Sequence, residues 1–252
     1  MRLSRAFWLP AWTFILVLLL WQAVAFLKLY PRHLFPPPFE VATGALELLQ
    51  SGELWSHIAV SLVRFAGGYG AAVIVAVPLG LVLGRCSFLW MALDPLVQVL
   101  RPISPIAWFP LISLWFGIGN LPAVVIIFLA AFYPILLATV AAVKNVDPLY
   151  LKIAANFGAS RLNVLWKIIV PAAFPQITVG LHLAVGTAWV FLVAGEMLGV
   201  RSGLGYLIID SRNNLRIDQV LVGIVLIGLL GLAIDRLVST GERWVKRQWS
   251  GA

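Results

Sequence analysis

Six stretches of this chain, about residues 11–30, 59–83, 91–116, 122–143, 172–198 and 219–237, are apolar over roughly the ~20 residues an α-helix needs to cross a bilayer. Runs of that length leave few alternatives. In lipid every backbone N–H and C=O must find its partner inside the segment, so each run is predicted to be helical and the chain an all-α integral membrane protein. Composition agrees: 62% of residues are hydrophobic and 11% charged, the mean hydropathy is +0.98, and soluble domains sit near about 45–50% and about 25%. Six spans and their connections fill the 252 residues, which predicts one membrane domain, 1–252, with no room for a soluble catalytic domain.

The connections set the topology. Arg2 and Arg5 precede the first run, and Leu27-Lys28-Leu29-Tyr30-Pro31 makes a poor cleavage site, so an uncleaved first span with its N-terminus inside is expected. Pro36-Pro37-Pro38 reads as a stiff turn into a short amphipathic helix outside, carrying Glu40, Glu47 and Glu53. Six spans place both termini inside. Arg2, Arg5, Arg85, Lys144, Lys152, Arg161, Lys167, Arg236, Arg243, Lys246 and Arg247 then lie inside, against Lys28, Arg32, Arg201, Arg212 and Arg216 outside. That is the positive-inside bias, and it accounts for the net charge of +8 without nucleic acid as a partner. In the outer loop 200–218, Leu204, Leu207 and Ile208 are expected to form a short helix on the membrane surface.

Within the spans, Gly80 and Gly84 make a small-xxx-small pair that lets another helix approach closely. The third run contains Pro95, Pro102, Pro105 and Pro110, so it is predicted to be kinked and held inside the bundle, where neighbours or a wet cavity satisfy the freed carbonyls. Asp94, Arg101 and Glu196 lie within runs, where an ionisable group costs at least about 2.5–3.5 kcal/mol, so they are expected to face the interior or a cavity. Two compatible readings follow. Asp94 and Arg101 pair along one side of a helix, or the three line a translocation path, with Glu196 neutralising Arg101 or lining an outer gate. Arg64 also falls within a span.

Catalytic signatures are lacking. There is no GxxxxGK[ST] phosphate loop, so ATP hydrolysis is not expected of this chain. Cys86 has no helical His partner, and His33, His57 and His182 lack metal-ligand spacing, so neither a nucleophile set nor a metal or other cofactor is predicted.

The one long polar segment with a helical pattern is 144–171, KNVDPLYLKIAANFGASRLNVLWKIIVP. Asp147-Pro148 reads as an N-cap with a proline in the first turn, Leu149, Ile153 and Phe157 recur at helical spacing, and Gly158 supplies a left-handed stop. Ser160 caps a second short helix with Leu162, Leu165, Trp166 and Ile169 as its apolar face, and Pro171 marks the hand-over to the next span. Two short amphipathic helices joined at a glycine form a protruding elbow suited to docking into another protein.

Gly158, Ile168 ten residues on, and Pro171, preceded by Ala154-Ala155, resemble the EAA loop of ABC-importer membrane subunits. The loop's register places Lys152-Ile153-Ala154 at its opening positions, so Lys152 stands where the loop usually carries Glu. The resemblance continues through Pro171-Ala172-Ala173-Phe174-Pro175, Ala194-Gly195-Glu196-Met197-Leu198 and Ser202-Gly203-Leu204-Gly205-Tyr206-Leu207-Ile208, and is similar to permeases for aliphatic sulfonates, taurine and nitrate in particular. It implies a type I importer permease in the bacterial inner membrane, a homodimer of six-span subunits carrying a small anionic solute. It implies two cytoplasmic ABC ATPases, which would bind ATP and Mg, and a periplasmic or lipid-anchored binding protein. Lys152, Ala154, Ala155, Gly158, Ala159, Ser160, Ile168 and Pro171 would then serve the coupling. The alternative is a self-contained secondary transporter. Such a protein more often shows interrupted helices in two related halves, and no internal repeat is seen.

Overall fold

The computed structural model describes residues 2–27 and 29–250, with side chains described for 12–27, 29–241 and 243. Lys28 and the side chains of Arg2, Arg5, Lys246 and Arg247 therefore lie outside the described residues. The described chain is helical, without a strand: α1 Arg2–Phe26, α2 Pro38–Gln50, α3 Glu53–Arg85, α4 Ser87–Leu100, α5 Phe109–Phe116, α6 Asn120–Lys144, α7 Pro148–Asn156, α8 Arg161–Val164, α9 Val170–Gly199, α10 Leu204–Asn213 and α11 Ile217–Ser250.

Four of the six apolar runs are single helices long enough to cross a bilayer, in α3, α6, α8–α9 and α11. The first run lies in α1, whose described apolar part is Trp12–Phe26. The proline-rich third run is not one kinked helix but two arms, α4 and a second made of a 3₁₀ turn, Pro105–Trp108, with α5, bent by 85° at a break over 101–104. The pair still reaches across the bundle. At one end the Trp90 ring lies 4.8 Å from Lys144 Nζ, where α6 finishes; at the other, the Phe109 ring closes on Gly199, where α9 finishes. Pro102 lies in the break and Pro105 at the first position of the 3₁₀ turn, so neither ring has to interrupt a helix.

The core is built by α3, α6 and α9. On α3, Gly68, Ala72, Ala76, Gly80 and Gly84 recur every fourth residue and are all buried. On α6, Ile127, Ala131, Ile135, Thr139 and Val143 answer with the same period. A Cβ on Gly80 would stand 2.6 Å from Thr139 Cβ, and one on Gly84 would stand 2.6 Å from Val143 Cβ, so the expected glycine pair is where two backbones come together. Side-chain bonds tie α11 to α9: Trp189 Nε1 donates to the Ile227 carbonyl at 3.0 Å, and His182 Nε2 lies 2.8 Å from Asp235 Oδ1.

The end of the bundle away from Lys144 is closed by α2 and α10. Val41 and Leu48 of α2 pack with Leu54, Leu207 and Val222, and Arg216 bridges Glu47 at 2.5 Å and Asp218 at 2.8 Å. The helix expected on the membrane surface forms as α10, but it is drawn into the bundle, with Leu204 and Leu207 buried. The cause is polar: the N–H of Leu204 donates to Ser61 Oγ at 2.9 Å and that of Gly205 to Glu196 Oε2 at 3.0 Å, so the start of the helix finds acceptors inside.

Candidate functional site

The elbow begins as its sequence indicates. Asp147 accepts the Leu149 N–H at 2.8 Å, with Pro148 in the first turn of α7. The helix ends at Gly158, whose φ is +68°. There the Gly158 N–H donates to Ala155 O and the Ala159 N–H to Ala154 O, both at 3.0 Å, the paired bonds of a Schellman end. The Ala154-Ala155 pair thus supplies the carbonyls on which the turn closes. No atom lies within 4 Å of where a Cβ on Gly158 would sit, so glycine is required by conformation and not by space.

Ser160 Oγ accepts the Asn163 N–H at 3.3 Å and opens α8. At the hand-over to the next span the chain passes from α8 through a π turn, Leu165–Ile169, straight into α9, with Pro171 in its first turn. Pro171 has no N–H and its ring crowds the carbonyl four residues back, that of Lys167, and the wider turn lies at that place. The second helix of the elbow, α8, is therefore continuous with a spanning helix.

Its two sides differ in neighbours and not in polarity. Ala154, Val164 and Ile169 are buried against Ala142, Val143 and Val146 at the end of α6, with Ile168 half-buried beside them. Phe157 is 87% exposed, and Leu149, Ile153, Leu162 and Trp166 are exposed as well. Lys152, Ala155, Ala159, Ser160, Arg161 and Lys167 are also exposed, while Pro171 is half-buried. The part of this apolar surface that precedes the long apolar helix Arg161–Gly199, at Leu149, Ile153 and Phe157 with Lys152 beside it, has the form of a protein-docking site.

At the opposite end lies a buried polar cluster. Arg64 Nη1 donates to Glu196 Oε1 at 2.8 Å and to the Ser202 carbonyl at 2.7 Å, and Nη2 donates to Ser202 Oγ at 2.7 Å. Arg64 also donates to Asn120 Oδ1, through Nε at 3.1 Å and Nη2 at 2.5 Å. Ser61 Oγ donates to the same carboxylate at 2.8 Å, and the Gly203 N–H donates to His57 Nδ1 at 3.0 Å. A Cβ on Gly203 would overlap the Glu196 carboxylate. One guanidinium thus joins α3, the start of α6, α9 and the loop before α10, and the carboxylate rests on the N-terminus of α10, where the helix dipole favours negative charge.

The structure brings Glu196 to Arg64 and not to Arg101. Asp94 and Arg101 are also apart in bonding: Asp94 Oδ1 accepts from Gln98 Nε2 at 3.3 Å, and Arg101 has no carboxylate partner among the described residues. Arg101 stands exposed at the break after α4 and lines an open groove of about 530 Å³ with Tyr133 of α6 and Thr187 of α9. Sequence reasoning misses Ser61, Asn120 and Asp235, finds Ser202 only as part of the family resemblance, and gives Arg64 a place in a span without a role. Arg64 and Asp235 carry a readable signal, a charge inside an apolar run.

The chain is 35% identical to the taurine transport system permease protein TauC of Escherichia coli (strain K12), over 99% of this chain and 92% of that protein. It is 37% identical to the nitrate import permease protein NrtB of Synechococcus elongatus, over 76% of this chain and 68% of that one. In fold it resembles a chain of the MetNI methionine ABC transporter in an inward-facing conformation, with a TM-score of 0.57 at 18% identity, over 76% of this chain and 95% of that one. Residues 76–247, which include the elbow, α9, α10 and most of α11, match the family model, and the chain belongs to the inner membrane components of binding-protein-dependent transport systems.

Proposed function

We propose that this permease works as a homodimer in the inner membrane, with both termini cytoplasmic, and carries a small oxyanion-bearing solute, an aliphatic sulfonate, taurine or nitrate. Two cytoplasmic ABC ATPases, holding ATP and Mg, drive it, and an external binding protein delivers the solute. The observation that carries the reading is the elbow: a capped helix ended on Gly158, seated on α6 by one side and exposing Leu149, Ile153 and Phe157 on the other. Because α8 is continuous with α9, a push on the elbow moves a spanning helix as one body, and closing of two ATPases would rock the two subunits between inward-open and outward-open states. Lys152, at the exposed face of α7, takes part as a cation where relatives of the EAA pattern use an anion. The solute class follows the names of the taurine and nitrate relatives and the exposed guanidinium of Arg101, a charge that attracts an oxyanion into the groove without enclosing it.

The test is reconstitution. The tagged permease, expressed with the ATPase and binding protein encoded beside it, should retain two ATPase copies for two permease copies. In liposomes it should import taurine, an alkanesulfonate or nitrate only with ATP. A permease that purifies alone and transports without ATP would overturn the reading.

A further inference from the structure

A second groove, of about 670 Å³, opens at the elbow end, between the last turns of α3 and the elbow. Its apolar walls include Leu81 and Val82 on α3 and Leu162 and Leu165 on the elbow, and two guanidiniums, Arg85 and Arg161, also line it. Both arginines are exposed, and neither has a carboxylate partner among the described residues. By contrast, Lys144, at the same end, sits over the Trp90 ring.

The depth of the groove is set by α3. Arg85 is its last residue, where the apolar run ends, so the arginines stand at headgroup level and the leucines and valine beside them lie level with acyl chains. Two uncompensated cations at the mouth of an apolar cleft at the membrane boundary match an amphiphile with an anionic head. Arginine suits phosphate, since its planar fork offers paired donors. Basic pockets between spans on this side recognise anionic lipid headgroups. We infer that this groove is a site for one anionic phospholipid, its phosphate between Arg85 and Arg161 and its chains along α3 and the elbow. Occupancy would brace the elbow against α3. The inference is independent of the solute carried.

The experiment uses the full-length permease purified in detergent and in nanodiscs. Dioleoylphosphatidylglycerol should raise the melting temperature by about 2–4 °C more than dioleoylphosphatidylcholine does. The doubly substituted Arg85→Gln, Arg161→Gln protein should lose that difference, and Arg85→Lys, Arg161→Lys should keep part of it. Cys86 also lines the groove and is the chain's single cysteine, so maleimide labelling of the unsubstituted protein gives a readout that needs no variant. Labelling should be several-fold slower in phosphatidylglycerol nanodiscs than in phosphatidylcholine ones. Equal stabilisation by the two lipids, a phosphatidylglycerol effect that survives in the Gln variant, an equal effect from inorganic phosphate, or equal labelling rates would each overturn the site.

Discussion

Arg64 Nη1 meets Glu196 Oε1 at 2.8 Å with the two side chains 3% and 0% exposed, an ion pair sealed inside the end of the bundle opposite the elbow. The arginine keeps neutral acceptors as well, in Asn120 and Ser202, and the carboxylate keeps neutral donors in Ser61 and Gly205. Such a pair has an asymmetric energetics. Forming it brings little net stability over an apolar filling, because two charges lose their water, yet removing one partner strands the other.

The first prediction rests on that asymmetry. Glu196→Ala should cost about 3–5 kcal/mol, since Arg64 is left charged and buried. The double change Arg64→Met, Glu196→Leu should cost markedly less than the sum of the two single changes. Thermal unfolding, in one detergent, of the unsubstituted protein, Glu196→Ala, Arg64→Met, Glu196→Leu and the double variant checks this. Additive single and double effects would mean that the two side chains do not act as a pair.

The second prediction concerns the elbow. Gly158→Val places a β-branched side chain at φ +68°, which costs about 1–3 kcal/mol locally and re-aims α8. Because no atom crowds that position, Gly158→Asn should be milder, asparagine being the side chain that tolerates this region best. Membrane insertion should be normal in both, ATP-driven uptake strongly reduced in the valine protein and largely kept in the asparagine one. Normal uptake in the valine protein would show that the elbow does not transmit force.

The spans, the elbow's caps and the glycine contact were legible because each rests on local chemistry: apolar length, an Asp-Pro start, a Gly stop, small residues four apart. The break in the third run was legible only as a kink, since prolines mark where a helix is weak and not how far it bends. The pairing of Glu196 was hidden by geometry. Arg64 lies well inside α3 and Glu196 near the end of α9, and they meet because α3, at 33 residues, is longer than a bilayer requires and begins well before the level at which α9 ends. The inward docking of α10 was hidden for the same reason: its acceptors, Ser61 and Glu196, come from helices distant in sequence. The elbow's second apolar face divides, Leu165 and Ile169 packing inward and Leu162 and Trp166 exposed, which helical periodicity alone does not separate.

A third prediction tests the glycine ridge. Gly84→Val would drive a side chain into Val143 and Gly80→Val into Thr139, overpacking that should cost about 1–3 kcal/mol each. Gly67, on the same helix, has open space around it, so Gly67→Ala should be neutral or stabilising. Melting temperatures in detergent decide. Equal effects at Gly67 and Gly84 would mean that propensity, and not the contact with α6, governs these positions.

The last prediction concerns Arg101. It stands at the break between α4 and α5, lines the groove with Tyr133 and Thr187, and has no described carboxylate to hold, so a structural role as one half of an ion pair has no support in its surroundings. Arg101→Gln should therefore leave yield and melting temperature nearly unchanged. If the groove is part of the solute's path, its positive charge lowers the energy of a passing oxyanion by an amount near the water-screened Coulomb value, about 1 kcal/mol at ~4 Å. Removing it should slow uptake by about five- to tenfold. Arg101→Lys keeps the charge but loses the planar fork, so uptake should fall between the two. Uptake is measured at several ionic strengths, because attraction in a wet groove weakens as salt rises. The arginine protein should be salt-sensitive and the glutamine protein much less so. Normal, salt-sensitive uptake by the glutamine protein would remove Arg101 from the path, and a collapse in yield of both variants would assign it to assembly instead.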